Sequence, residues 1–258
     1  MLPREYEILY NLENSYWWFT GMKLIMDRIL GPTIKPSSKL LDVGCGTGGR
    51  LQMLSRRCQT WGIDCHPRAA GYCRQRGLAN ITQGDAASLP YSDGMFTHVT
   101  CCDVLQNLED DRAGIREAFR VLKPGGLYYI SEQAFPLLRS QHDISQEAIR
   151  RYTQRRLQQL LTDPGFEILR MTGANSILFP ALAAYRLASR MTHPVESVKR
   201  EQARSHIFPL PGALNSALFQ VLKLEGKWIA SGRNLPWGLS VIVLAKKPGP
   251  EPLSTDYS

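Results

Sequence analysis

The chain has 258 residues, 43% of them hydrophobic, with six cysteines and a formal charge of +8. That length can bury a core of domain size, and the composition excludes a disordered chain. There is no apolar run of the roughly 18 residues needed for a membrane span, and MLPREYEILY lacks the basic head and apolar centre of a secretory signal, so a soluble cytoplasmic protein is expected.

Residues 1–37 read as a segment outside the main sheet, with the aromatic cluster Tyr16, Trp17, Trp18 and Phe19 ahead of an apolar-periodic helix. The paired tryptophans suit either core packing or the contacts of a lid. Residues 38–174 carry the sheet. Its first five strands are KLLDV, TWGID, NITQGD, MFTHVTCC and GLYYISE, alternating with helical patterns in the manner of a mainly parallel α/β sheet. His98 falls inside the fourth strand and reads as structural. Ile115, Ala118, Phe119 and Leu122 recur at helical spacing before Pro124-Gly125-Gly126 ends that helix. FEILRMTG gives a sixth strand and LSVIVLAKK a seventh, the latter in segment 237–247. Between them, 175–236 is too long for a bare loop and holds helical patterns near 177–191 and 212–231. The tail 248–258 reads as disordered.

The cysteines Cys45, Cys58, Cys65, Cys73, Cys101 and Cys102 show no C-x-x-C spacing, so reduced packing thiols are expected rather than a metal site or a disulfide framework. The basic residues are dispersed, as in RRYTQRR and VKREQAR, and no stretch interleaves aromatics with Arg and Lys, so nucleic acid is not the expected partner. Nothing in the sequence sets an oligomeric state.

The chemistry concentrates in LLDVGCGTGGRL. Gly44, Gly46 and Gly49 satisfy the G-x-G-x-x-G of a dinucleotide turn, and Asp64 ends the next strand where a carboxylate can hold ribose hydroxyls. A dinucleotide would bring an anionic pyrophosphate to this turn, beside Asp42, which repels it. S-adenosylmethionine has no phosphate and carries a sulfonium and an α-ammonium, so acids near the turn attract it. Asp85 follows the third strand, where it can accept from an adenine amino group beside the small Ala86.

LLDVGCGTGG, GIDCHP, GDAASLPYSDGMF, DVLQNLED and LKPGG, in this order, resemble the class I S-adenosylmethionine-dependent methyltransferases, type 11 group. The resemblance implies a Rossmann-like seven-stranded sheet, mostly parallel with an antiparallel last strand and helices on both faces, plus a helical N-terminal lid and a helical insertion that walls the substrate pocket. It implies S-adenosylmethionine as cofactor, S-adenosylhomocysteine as product and no metal. Asp42, Gly44 and Gly46 are then expected along the methionine portion, Asp64 at the ribose, and Asp85 and Ala86 at adenine, with Cys45, Cys65 and Cys102 beside them. EYEILYNLENSYWWFTGMK is similar to an N-terminal segment that covers the cofactor in one branch of the family, which adds Trp18 and Lys23. Met22 stands where that branch usually has an arginine, so the methionine carboxylate must be met by Lys23 or from elsewhere.

Related sequences often carry Glu-His where this chain has Gln106 and Asn107, and neither amide is a general base. The expectation is therefore N-methylation by positioning, with Asn107 at most a hydrogen-bond partner. Alternatively, His142 or Asp143, in the loop after the fifth strand, serves a hydroxyl acceptor as base. Gln106, Tyr152, Phe179 and Tyr185 are expected to face the substrate. The insertion ANSILFPALAAYRLASRM suits a wall of a hydrophobic pocket, a contact with a membrane surface, or a packed helix pair. The expected function is methyl transfer to nitrogen, or to oxygen, of a mostly apolar small molecule. A sugar or lipid-linked glycan is the alternative acceptor, and a non-catalytic S-adenosylmethionine-binding protein is the third reading.

Overall fold

The computed structural model describes residues 1–192 and 207–249. The order of elements is α1 (Pro3–Leu12), α2 (Trp17–Leu30), β1 (Lys39–Val43), α3 (Gly49–Leu54), β2 (Gln59–Asp64), α4 (Pro67–Gln75), β3 (Ile81–Gln83), β4 (Phe96–Cys102), α5 (Asp111–Val121), β5 (Leu122–Gln133), α6 (Gln141–Ser145), α7 (Gln154–Thr162), β6 (Glu167–Ala174), α8 (Phe179–Thr192), α9 (Gly212–Ala230) and β7 (Ser240–Lys246). The seven strands run in the order β3-β2-β1-β4-β5-β7-β6. β1 to β5 are parallel, and β7 lies antiparallel between β5 and β6. This is the Rossmann-like fold expected from the sequence. Each strand overlaps a segment expected from the sequence, but β2 starts one residue earlier and β6 ends one later. β5 runs from Leu122 to Gln133, taking in Leu122 and the Pro124-Gly125-Gly126 expected to close the preceding helix, which ends at Val121. The tail beyond residue 249 lies outside the described residues.

One face of the sheet presents Leu41, Val43, Val99, Tyr128, Ile130 and Val243 to α5 and α7, whose buried residues include Ile115, Ala118, Leu157 and Leu161. The other face presents Leu40, Tyr129, Ile242 and Leu244 to α2, α3 and α9. The N-terminal segment and the insertion are thus more than a cover and a pocket wall: α2 and α9 pack on each other and close one face of the core. Trp17 is buried in this layer, and its backbone N–H donates to Asn215 Oδ1 of α9 at 2.9 Å.

The helix pair depends on Gly21. A methyl group there would run into the side chain of Leu222, which is fully buried. Gly21→Ala should cost about 1–3 kcal/mol through overpacking, read as a lowered urea midpoint with unchanged slope.

The fourth-strand histidine is held within the fold. All six cysteines are free. His98 is buried between the Thr33 hydroxyl at 3.1 Å and the Thr97 hydroxyl at 2.7 Å, and burial holds its imidazole down near pH 4. No described helix is long and apolar enough to cross a membrane.

Candidate active site

The strand order reverses between β1 and β4, and the loops that leave their carboxyl ends part there, the position where open α/β sheets bind ligands. A cavity of 760 Å³ occupies this place, roofed by α1, α2 and residues of the insertion. Gly44 begins its floor with φ +68°, and a side chain there would collide with Val104 of the loop after β4. Only glycine lets the two loops approach so closely.

At the β2–β3 side, Asp64 is held by the Gly46 N–H on Oδ2 at 2.9 Å, and on Oδ1 by the His66 N–H at 3.0 Å and the Tyr6 hydroxyl at 2.8 Å. A carboxylate offers about four acceptor positions, so Asp64 can take one further donor, or two where the Tyr6 hydroxyl yields. Tyr6 stacks on His66 with ring centroids 4.6 Å apart, which fixes α1 over this end. Burial first, then Asp64, pushes the Tyr6 phenol far above its ordinary range, so it remains a donor. Cys65, Asp85 and Ala86 line the same end, and Asp85 Oδ1 accepts the Ala87 N–H at 2.9 Å.

In the middle, Glu13 caps α3. Its carboxylate accepts the Gly49 N–H at 3.1 Å and the Thr47 hydroxyl, and pairs with Arg76 at 2.7 Å. The chain's own carboxylate therefore occupies the helix N-terminus where a pyrophosphate would bind. Arg50 projects from α3 into the lining, and its Nε lies 4.0 Å from an oxygen of the fully buried Asp42; neither atom has a hydrogen-bond partner among the described residues. The other Asp42 oxygen accepts from Thr100 at 2.7 Å. Asp42 thus sits behind the lining and aligns Arg50. Lys23 also lines this part, donating to Asn14 at 2.7 Å, and burial lowers its ammonium to about 8.

Beyond β4 the lining includes Asp103, Gln106, Asn107, Gln133 and His142. Glu132, fully buried, accepts the backbone N–H groups of Val104 at 3.0 Å, Leu105 at 2.9 Å and Gln106 at 3.3 Å, and so locks the loop after β4. The outer part of the lining is mainly apolar, with Leu182, Tyr185, Ile207, Leu210 and Leu218 beside Arg186.

Residues 41–130, from within β1 to within β5, match a family model described as a methyltransferase domain. That segment is similar to methyltransferase domains, and the sheet that carries it has the Rossmann-like order of the S-adenosylmethionine-dependent class I fold. A demethylmenaquinone methyltransferase of Corynebacterium efficiens is 35% identical over 109 residues, 41% of this chain and 46% of that one. A norajmaline N-methyltransferase of Rauvolfia serpentina is 35% identical over 103 residues, 36% of this chain and 35% of that one. Among solved structures, the [4+2]-cyclase SpnF superposes with a TM-score of 0.54 at 26% identity, over 88% of this chain and 79% of that chain. The chain spans less than two thirds of the length of the curated relatives it matches, about half for the first of them.

The cavity brings together most residues singled out in the sequence: Trp18, Lys23, Gly44, Cys45, Gly46, Asp64, Cys65, Asp85, Ala86, Cys102, Gln106, Asn107, His142 and Tyr185 all line it. Four do not. Asp42 acts through Arg50, as described. Asp143 is 1% exposed and spent twice over, on Arg151 at 2.6 and 2.8 Å and on the backbone and hydroxyl of Ser140 at 2.8 and 3.1 Å. Those bonds hold its carboxyl low despite burial, so it is a structural anion and no base. Tyr152 is fully buried and donates to Asp111 at 3.0 Å, and Phe179 packs on Phe135 with centroids 4.8 Å apart, outside the lining. Arg50, Tyr6, Glu13 and Asp103 were missed. Arg50 follows the glycine turn by one residue, so a cation beside the turn was legible in the sequence. The other three gave no local signal, because tertiary packing alone brings them to the cleft.

The residues present fit S-adenosylmethionine. A partly buried guanidinium, whose Nη2 donates to the Cys102 carbonyl at 3.5 Å and whose Nε has no hydrogen-bond partner among the described residues, suits an amino-acid carboxylate, and a ribose-competent acid lies across the glycine turn from it.

Proposed function

We propose that the chain transfers a methyl group from S-adenosylmethionine to a nitrogen of a mostly apolar small molecule. One observation carries the reading: Asp64 on the β2 side and Arg50 on the β4 side flank one glycine turn in a single cavity, an acid for a ribose and a cation for a carboxylate, and the cavity extends to a mainly apolar wall. When bound, the cofactor supplies an electrophilic methyl on a sulfonium. The chain's own work is orientation and exclusion of water: Asp64 takes the ribose, Arg50 and Lys23 take the carboxylate, and α1 and α2 cover the cleft. The 35% identity to a norajmaline N-methyltransferase supports nitrogen as acceptor. The likeness to a cyclase means that the fold alone does not carry methyl transfer, so the proposal rests on the site.

The test is incubation with methyl-labelled cofactor and metabolite pools, reading where label lands. Label on amine nitrogen is the expected result. Label on hydroxyl oxygen, with a loss of about 100-fold in His142→Ala, contradicts it.

A further inference from the structure

The cavity wall past β4 has an imbalance of hydrogen-bonding groups. Gln106 Oε1, Asn107 Oδ1 and Gln133 Oε1 are buried acceptors with no partner among the described residues. Two of these amides are oriented by their nitrogens, since Asn107 Nδ2 donates to the Gln146 carbonyl at 2.9 Å and Gln106 Nε2 to the Asp103 carbonyl at 3.5 Å, which leaves both oxygens as the unmatched ends. In the same wall Asp103 adopts φ +58°, a left-handed backbone that aspartate tolerates better than most residues. Its N–H donates to the Ser131 carbonyl at 2.8 Å, while its carboxylate takes no hydrogen bond from any described residue. Three unsatisfied acceptor oxygens and a carboxylate in a largely buried wall are costly unless a donor arrives.

The sheet order says where this wall stands. Asp64 ends β2, Gly44 follows β1, Asp103 follows β4 and Gln133 ends β5, in adjacent strands. At roughly 4.8 Å per strand, Asp103 lies two strands, roughly 10 Å, from the ribose acid. That span carries a ligand anchored at Asp64 and Arg50 up to the acceptor wall.

We propose that Asp103, with the side-chain oxygens of Gln106, Asn107 and Gln133, forms the acceptor-nitrogen site, and that its substrate is a primary or secondary amine on an apolar body. This rests on the methyltransferase reading and names the substrate class for it. A neutral primary amine brings two N–H donors to a wall of acceptors, where a neutral secondary amine or a hydroxyl brings one. The nitrogen lone pair forms the new N–C bond as the C–S bond breaks and its electron pair stays on sulfur. The surplus proton on nitrogen then passes to Asp103 and on to solvent. Glu132 acts as a positioning residue by locking the loop that carries Asp103.

Burial pushes the Asp103 carboxyl up to about 6, against the pull of Arg50 and Arg151. The charged and titratable groups that face it are Arg50 from α3, Arg151 from the segment before α7, Cys102 from β4, and Tyr129 and Glu132 from β5. Because the folded value is raised, Asp103 is an anion above pH 6 and loses that charge as pH falls through it.

The test needs no substrate. Sinefungin carries a CH–NH3⁺ group where the cofactor carries its S–CH3, and S-adenosylhomocysteine carries neither charge nor methyl there. By isothermal titration at pH 7.5, the protein should bind sinefungin about tenfold more tightly than S-adenosylhomocysteine, a modest share of what a nearby opposite charge supplies. In Asp103→Asn the two affinities should converge to within about twofold, with S-adenosylhomocysteine affinity kept as the control for folding. Wild type should lose the preference below pH 6, and the variant should show no such step. A preference that survives in Asp103→Asn overturns the proposal. Failure of wild type to bind either nucleoside overturns the methyltransferase reading beneath it.

Discussion

Arg50→Gln is expected to weaken S-adenosylhomocysteine binding by about 10- to 100-fold, the value of charge-assisted hydrogen bonds worth about 1.5–3 kcal/mol. The same variant should bind 5′-methylthioadenosine, the nucleoside without the amino acid, with an affinity within about twofold of wild type. The contrast follows from placement. Arg50 lines the cavity on the side of the turn away from Asp64, and its Nε lacks a hydrogen-bond partner among the described residues while Asp42 stands behind it. Arg50 keeps its charge there: burial works against it, and Cys102, Asp42, Asp103 and Glu13 outweigh burial. Titration of both ligands into both proteins checks the prediction. Equal losses for the two ligands would mean that Arg50 supports the fold of the turn rather than the amino-acid end.

The second large effect is on stability. Asp143→Asn leaves the guanidinium of Arg151, 4% exposed as a residue, without its counter-charge. Breaking one side of a buried pair costs about 3–5 kcal/mol, and the urea midpoint should fall accordingly. Replacing both partners together, as Asp143→Leu with Arg151→Met, should recover most of the loss, because no charge is then stranded. The pH dependence has a definite sign. The Asp143 carboxyl is lowered in the folded state by Arg151 and Ser140 against the burial that raises it. The stability it contributes is present above the unfolded carboxylate value of about 3.9 and is lost as pH falls through the lower folded value. The gap between wild type and variant should therefore be full at pH 7 and narrow below about pH 4.

The legible parts of this protein were those written in local pattern. Strands such as KLLDV and LSVIVLAKK are apolar runs between turn residues, and they appear at β1 and β7. The glycine turn and the acids after β2 and β3 are fixed by strand ends, so their neighbourhood could be read one strand at a time. Asp143 was misread because a carboxylate in a loop gives no sign of the arginine eight residues later that claims it. Tyr152 and Phe179 were misread for a related reason, since an aromatic side chain suits a pocket and a core equally until its neighbours are known. The insertion's double role, closing the core through Leu222 and Ile229 while walling the cavity through Leu210 and Leu218, depends on how α9 meets α2, and α2 lies nearly 200 residues earlier in the chain. Asp103 gave no sequence signal, because its meaning comes from the unpartnered amides around it.

The account stands on the identity of the ligand at the glycine turn. The most direct measurement is parallel isothermal titration of S-adenosylhomocysteine and NAD into the purified chain. Asp64, Arg50 and the Glu13 carboxylate that fills the α3 N-terminus predict saturable, one-to-one binding of S-adenosylhomocysteine and no heat from NAD. Saturable binding of NAD with none of S-adenosylhomocysteine would contradict it.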